Sequence, residues 1–148
     1  MTAIRRAAVA VTGASGGIGR ALALELAARG ADLALADRDE AGLKAVAAEI
    51  GTRQKVTTHH VDIGEPAQIA AFAQAAVAGH PSLNIVINNA GVALLGQFSE
   101  IDQSQMDWLM NINFWGVVHS TRAFLPHLAT RPDCNPSPRR SARLKAAR

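Results

Sequence analysis

Three glycines near the start of the chain have the spacing of a loop that binds phosphate. Gly13, Gly17 and Gly19 lie between a short apolar run and an Ala- and Leu-rich helical pattern. We expect Gly13 to permit a tight turn, Gly17 to let a phosphate approach the backbone, and Gly19 to let the helix pack closely on a strand. Free N–H groups at the start of such a helix attract an anion. A glycine-rich turn without a ligand is the alternative interpretation.

Polar residues follow the next three apolar or β-branched runs. These are Asp37 with Arg38, Asp62 with Ile63, and the segment Asn88-Asn89-Ala90-Gly91. The carboxyl ends of parallel strands meet at one edge of a sheet, so we expect these groups to gather beside the glycine loop. Structural roles remain open for them: a solvated acid at Asp37, a turn cap at Asp62, and side chains that hold strand ends at Asn88 and Asn89.

The elements that would position these residues alternate between strand and helix patterns. Strands are predicted at 7–12, 32–36, 55–62 and 83–88, and helices at 17–29, 40–50, 66–78 and 104–128. Such alternation predicts an α/β fold in which helices cover both faces of a parallel sheet, a Rossmann-like doubly wound arrangement. We expect buried strands, a fourth strand at the edge of the sheet, and truncation of the fold after the fourth strand and the following long helix.

The pattern changes beyond Leu128. Residues 131–148 contain three prolines within seven residues and carry a net charge of +5, whereas residues 1–130 carry −2. Proline cannot donate in a central strand, so no fifth strand is predicted. The sequence therefore predicts a nucleotide-binding half-domain over 1–130 and a basic, Pro/Arg-rich disordered tail over 131–148.

Taken together, the motifs resemble the short-chain dehydrogenase/reductase family. The glycine spacing matches this family and differs from the common dinucleotide fingerprint, whose first two glycines are two apart. The strand-end groups follow in the family's order, and Asn113 within Asn111-Ile112-Asn113-Phe114-Trp115-Gly116 matches the asparagine of its catalytic helix. The resemblance covers about residues 5–130.

The resemblance implies an oxidoreductase that transfers a hydride between NAD(P)(H) and an alcohol or carbonyl substrate. It makes Asn113 catalytic, as the holder of a water in the proton relay. A helix kink or a buried water is the alternative, because Asn is a poor helix former. It also implies a set of cofactor-binding residues: Gly13, Ser15, Gly16, Gly17, Ile18, Gly19, Asp37, Arg38, Asp62, Ile63, Asn89, Ala90 and Gly91.

Asp37 favours NAD over NADP. A carboxylate at this position accepts hydrogen bonds from the adenosine ribose and repels a 2′-phosphate. Arg38 follows immediately and softens that preference. Family members that prefer NADP often carry a basic residue at the position of Gly16, so NAD is the expected cofactor and NADP the less favoured one.

The residues that perform the family's proton transfer are missing. The family uses a serine and a Tyr-x-x-x-Lys motif beyond the asparagine, and this chain contains no tyrosine. Ser137, Ser141 and Lys145 lie in the Pro/Arg-rich tail and are not assigned these roles. The chain is therefore expected to retain dinucleotide binding alone. The alternative is a truncated or frameshifted remnant without a stable function.

Other partners are not expected. No histidine pair has metal-ligand spacing, so no metal site is predicted. The longest apolar runs are too short to span a membrane, and the basic tail lacks the aromatic residues of a specific nucleic-acid site. The single cysteine, Cys134, suits a reducing compartment and a cytoplasmic location. Self-association through the last helix or the exposed sheet edge is the one protein contact expected.

Overall fold

The computed structural model describes residues 4–131. Within them, the strands β1 (Ala8–Thr12), β2 (Asp32–Asp37), β3 (Val56–His60) and β4 (Leu83–Ile87) form one parallel sheet. Their order across the sheet is β3-β2-β1-β4. The Rossmann-like parallel sheet is thus confirmed, with β4 at one edge of the described sheet. The predicted tail lies outside the described residues beyond Arg131.

The helices between the strands begin and end close to the predicted positions. They are α1 (Gly17–Ala28), α2 (Glu40–Ile50), α3 (Pro66–Gly79), α4 (Gln103–Met110) and α5 (Gly116–Leu128), with a 3₁₀ turn at Phe98–Glu100. Asp39 caps α2 by accepting a hydrogen bond from Gly42 N, and Pro66 occupies the first turn of α3. Gly30 and Gly51 follow their helices with φ of 88° and 72°, which favours glycine over other residues.

The two faces of the sheet are packed differently. Along β1, Val9 and Val11 join the apolar cluster formed with α1 and α2. The alternate residues, Ala8 and Ala10, face α3 and α5 on the other side. Their small side chains leave room there for Phe72 and Phe124, whose rings meet edge to face with centroids 5.4 Å apart.

Burial distinguishes the inner strands from the outer ones. β1 is buried throughout and β2 in its four central residues. β3 and β4 are largely half-buried or exposed. The prediction of buried strands is right for the inner pair and wrong for the outer pair, because each outer strand has a neighbour on one side only among the described residues.

The long helix predicted over 104–128 is not continuous. A π-helical turn, Asn111–Trp115, separates α4 from α5. Such turns insert one residue into a helix and redirect the side chains around it. Trp108, in α4, and Trp115, the last residue of this turn, are 42% and 46% exposed, so neither belongs to the buried core.

Candidate functional site at the carboxyl ends of the strands

The glycine loop has the conformation that its spacing predicts. Gly13 and Gly17 have φ of 68° and 52°, a region that only glycine enters without strain. Gly19 is buried, and a Cβ on it would overlap the carbonyl oxygen of Gly13. Gly16 forms the N-cap of α1 without any side-chain hydrogen bond to the helix. The first N–H groups of α1 therefore have no side-chain cap from Gly16 and can receive an anion.

Thr12 and Asn89 join the glycine loop to the end of β4. The buried hydroxyl oxygen of Thr12 accepts hydrogen bonds from the backbone N–H groups of Asn89 and Ala90, both at 3.1 Å. The amide of Asn89 donates to the carbonyl oxygens of Thr12 and Gly13, also at 3.1 Å. The neighbouring strand ends are thus fixed to each other by side chains.

The two asparagines differ from each other in their contacts. Asn89, rather than Asn88, connects the strand ends. The amide of Asn88 instead donates to Thr121 Oγ1 of α5 at 3.4 Å, and its Oδ1 is buried without a hydrogen-bond partner among the described residues. The side chain of Asn88 therefore contacts α5, whereas the side chain of Asn89 contacts the glycine loop.

The carboxylate of Asp37 lies against the glycine loop. Its two oxygens accept hydrogen bonds from Ser15 N at 3.0 Å and Asp39 N at 3.1 Å. Partial burial acts to raise the pKa of Asp37, but these backbone hydrogen bonds outweigh it and hold the pKa below its ordinary value of 3.8. The group is therefore an anion at neutral pH, adjacent to the exposed Arg38.

An open cleft collects most of the strand-end residues. We call it the strand-end cleft, and its lining consists of Gly13, Asp37, Arg38, Val61, Asp62, Ile63, Ala90, Gly91, Val92 and Ile112. The lining combines three charged side chains, those of Asp37, Arg38 and Asp62, with apolar ones. This combination suits a flat, partly polar ring system attached to a hydroxylated sugar.

The remaining residues assigned from the sequence lie around the strand-end cleft. Ser15 supports Asp37 through its backbone, and Gly19 and Asn89 lie beneath the loop. Gly16, Gly17 and Ile18 are exposed at the start of α1, with Ile18 74% exposed. Thr12, Val61, Val92 and Ile112 were missed. The signal for Thr12 was its small hydroxyl side chain directly before the first glycine.

Asn113 contacts the backbone after β4 and does not line the cleft. Its amide donates to Val92 O at 2.8 Å, and its Oδ1 accepts from Val92 N at 2.8 Å. Both functional groups of this side chain thus hold one residue of the loop. Asn111, in the same π-helical turn, donates to Gly64 O at 3.0 Å. Asn113 lies within the π-helical turn Asn111–Trp115.

The sequence profile of the family described as short chain dehydrogenase matches residues 7–135. The chain belongs to this family. A putative oxidoreductase, SadH, from Mycobacterium tuberculosis is 40% identical over 124 residues, which are 83% of this chain and 45% of that protein.

Solved structures of the short-chain dehydrogenase family have the same fold. A 3-ketoacyl-(acyl-carrier-protein) reductase from Brucella melitensis, complexed with NADH, superposes with a TM-score of 0.79 at 31% identity, over 84% of this chain and 51% of that one. A metagenomic short-chain oxidoreductase in complex with NADP gives a TM-score of 0.78 at 34% identity, over 86% and 58%. The chain thus spans about half the length of the relatives it matches.

Within residues 4–131, no group of three or more His, Cys, Asp or Glu side chains is arranged to hold a metal ion. The same part of the chain contains no helix that is both long and apolar enough to cross a bilayer.

Proposed function

We propose that this chain binds a nicotinamide dinucleotide and that the contacts are made mainly with the adenosine half of that ligand. The observation that carries the proposal is the position of the ionised Asp37 between the glycine loop and the strand-end cleft. The pyrophosphate would lie on the start of α1, the ribose hydroxyls at Asp37, and the adenine between Ile63 and Ala90. Asp62 would face the adenine edge. The family resemblance implied cofactor binding for the same residues.

NAD is the proposed cofactor and NADP the less favoured one. Members of the family bind either, as the complexes with NADH and NADP illustrate. A 2′-phosphate would meet the carboxylate of Asp37, whose negative charge persists at neutral pH. Arg38 lines the same cleft and would offset part of that repulsion.

We further propose that the chain descends from an oxidoreductase acting on an alcohol or carbonyl and has no turnover of its own. The chain contains no tyrosine to exchange a proton with a substrate, and loss of a general acid costs about 10²–10⁴-fold in rate. Residues 1–130 would be the binding unit and 131–148 an accessory tail. The single Cys134 supports a cytoplasmic location.

Calorimetric titration with NAD and a turnover assay with alcohols and ketones test the proposal together. Weak, saturable NAD binding is expected, abolished in Gly13→Trp because a side chain at Gly13 would collide with Ala90. Glu25→Ala, on the last turns of α1, is the control and should bind normally. Absence of NAD binding by a folded chain would refute the binding role. A steady rate that Gly13→Trp abolishes would refute the proposed lack of turnover.

A further inference from the structure

The π-helical turn lies between the two loops that border the strand-end cleft. On one side is the β3–α3 loop, residues 61–65, and on the other the β4–α4 loop, residues 88–102. Asn111 donates to Gly64 O of the first loop at 3.0 Å. Asn113 forms a pair of 2.8 Å hydrogen bonds with Val92 of the second.

The helix geometry explains how one short turn contacts both loops. Residues two apart on a helix are separated by roughly half a turn and point to nearly opposite sides. Asn111 and Asn113 therefore face away from each other, each toward one loop. Ile112, between them, is 8% exposed and lines the cleft. The turn thus spans the cleft from the β3–α3 loop to the β4–α4 loop.

Close packing fixes the β3–α3 loop against the same helix. A Cβ on Gly116 would overlap Ile63 Cγ2, and a Cβ on Gly64 would approach Asn111 Nδ2 to 3.1 Å. Within the loop, Gly64 N donates to Asp62 Oδ1 at 2.7 Å. Because Asp62 and Ile63 both line the cleft, the hydrogen bond from Asn111 holds the segment that carries them.

We infer that Asn111 is a positioning residue for the adenosine end of the dinucleotide. Its side chain lines no part of the cleft, and it acts through Gly64 on Asp62 and Ile63. Asn111 holds the β3–α3 loop and Asn113 holds the β4–α4 loop, and together they fix the width of the strand-end cleft. This inference rests on the proposed dinucleotide binding, and it adds a residue outside the cleft to the determinants of affinity.

Two variants of Asn111 in the full chain test whether this side chain positions the β3–α3 loop. Asn111→Ala removes the side chain, and Asn111→Asp keeps its shape but cannot donate to Gly64 O when ionised. Both should weaken binding of 5′-AMP about threefold to tenfold, the value of one partly solvated hydrogen bond. Inorganic pyrophosphate, a probe for the glycine loop alone, should bind both variants as it binds the unmutated chain. Gln103→Ala, an exposed amide of α4, is the control and should change neither affinity.

Hydrogen exchange separates this inference from the proposed function. The amides of Gly64 and Glu65, which both donate to Asp62, should exchange faster in both Asn111 variants and not in Gln103→Ala, with no ligand present. If the unmutated chain binds neither 5′-AMP nor pyrophosphate, the proposed function is wrong. The exchange rates then still show whether Asn111 holds the β3–α3 loop in place. Unchanged exchange, or wild-type AMP affinity in Asn111→Asp, would overturn the inference.

Discussion

At the residue scale, the charge of Asp37 is the feature of the site most open to measurement. Replacing it in Asp37→Ala removes two acceptors for the ribose hydroxyls and the charge that repels a 2′-phosphate. We expect the affinity for NAD to fall roughly tenfold, which corresponds to about 1.4 kcal/mol of binding free energy. The ratio of the affinity for NAD to that for NADP should also decrease. Calorimetry with both cofactors measures the two effects.

Glu25→Ala is the matched control for Asp37→Ala. Glu25 is an exposed acid on α1, paired with Arg29, so its removal changes the net charge equally without touching the strand-end cleft. It should leave the ratio of the two affinities unchanged. Equal affinity for NAD and NADP in the unmutated chain would show that Asp37 does not discriminate between them.

How much of the site the sequence predicts depends on the kind of residue. Gly13, Gly17 and Asp37 were recognisable because their conformation or charge follows from residue type and position. Val92 and Asn111 were not, because their contribution depends on which backbone groups lie across the cleft in the fold. An apolar residue or a helical amide carries no local signal of such a partner.

At the scale of elements, the contact between α5 and the β3–α3 loop depends on Gly116. A methyl group in Gly116→Ala would overlap Ile63 Cγ2, and overpacking of this kind costs about 1–3 kcal/mol. We expect the variant to unfold at lower urea concentration than the unmutated chain. Gly79→Ala, in α3, is the control, since a Cβ there would meet only Thr57 at an ordinary 3.6 Å.

The Gly79→Ala control should be neutral or slightly stabilising, because alanine is the better helix former. Equal unfolding midpoints for the two variants would contradict the close packing at Gly116.

The π-helical turn also explains why the prediction of one continuous helix over 104–128 was wrong. The apolar periodicity of the helix was visible in the sequence, but the π-helical turn depends on contacts with two distant loops.

A second element-scale feature joins β3 to the end of α3. The hydroxyl of Thr57 lies 2.9 Å from His59 Nε2 and 3.0 Å from His80 Nε2. Burial lowers the pKa of His59 below its ordinary 6.5, and the nearby His80 adds to this. Burial also lowers the pKa of His80, with a further contribution from Lys55 that Asp32 opposes.

Because both pKa values are lower in the folded chain, the neutral imidazoles favour folding. Their contribution is complete above the unfolded pKa of about 6.5 and is lost as the pH falls through the folded values. Urea unfolding should therefore show a decrease in stability from pH 7.5 toward 5.5. His80→Gln removes one of the two imidazoles with a lowered pKa and should flatten this slope. A stability that rises over this interval would contradict the interpretation.

At the scale of the whole molecule, the described sheet has an open side. Among residues 4–131, β4 pairs with β1 alone, and the last four residues of β4 are half-buried. The last helical segments expose large apolar side chains, namely Trp108, Met110, Phe114, Trp115 and Leu125. An uncovered strand edge and exposed apolar side chains both favour association between chains.

We therefore expect the purified chain to be weakly stable or to self-associate. The prolines and arginines in the sequence of residues 132–148 are poorly suited to cover this side, because proline cannot extend a central strand and unpaired arginine is costly to bury. Deletion of 132–148 should therefore leave the association unchanged. Sedimentation velocity over a concentration series measures it for both chains.

The position of the contact can be tested by charge. Trp115→Lys places a cation among the exposed aromatic side chains, where Phe114 and His119 adjoin Trp115, and should shift the chain toward monomer. Ile18→Lys introduces the same charge at a residue that is 74% exposed elsewhere and should not. A monodisperse monomer of the unmutated chain, with a sharp and reversible thermal transition, would show that residues 1–130 form an autonomous domain. Such a result would contradict the remnant interpretation. A sharp transition indicates cooperative unfolding, which the chain would then show even though one edge of its sheet is uncovered.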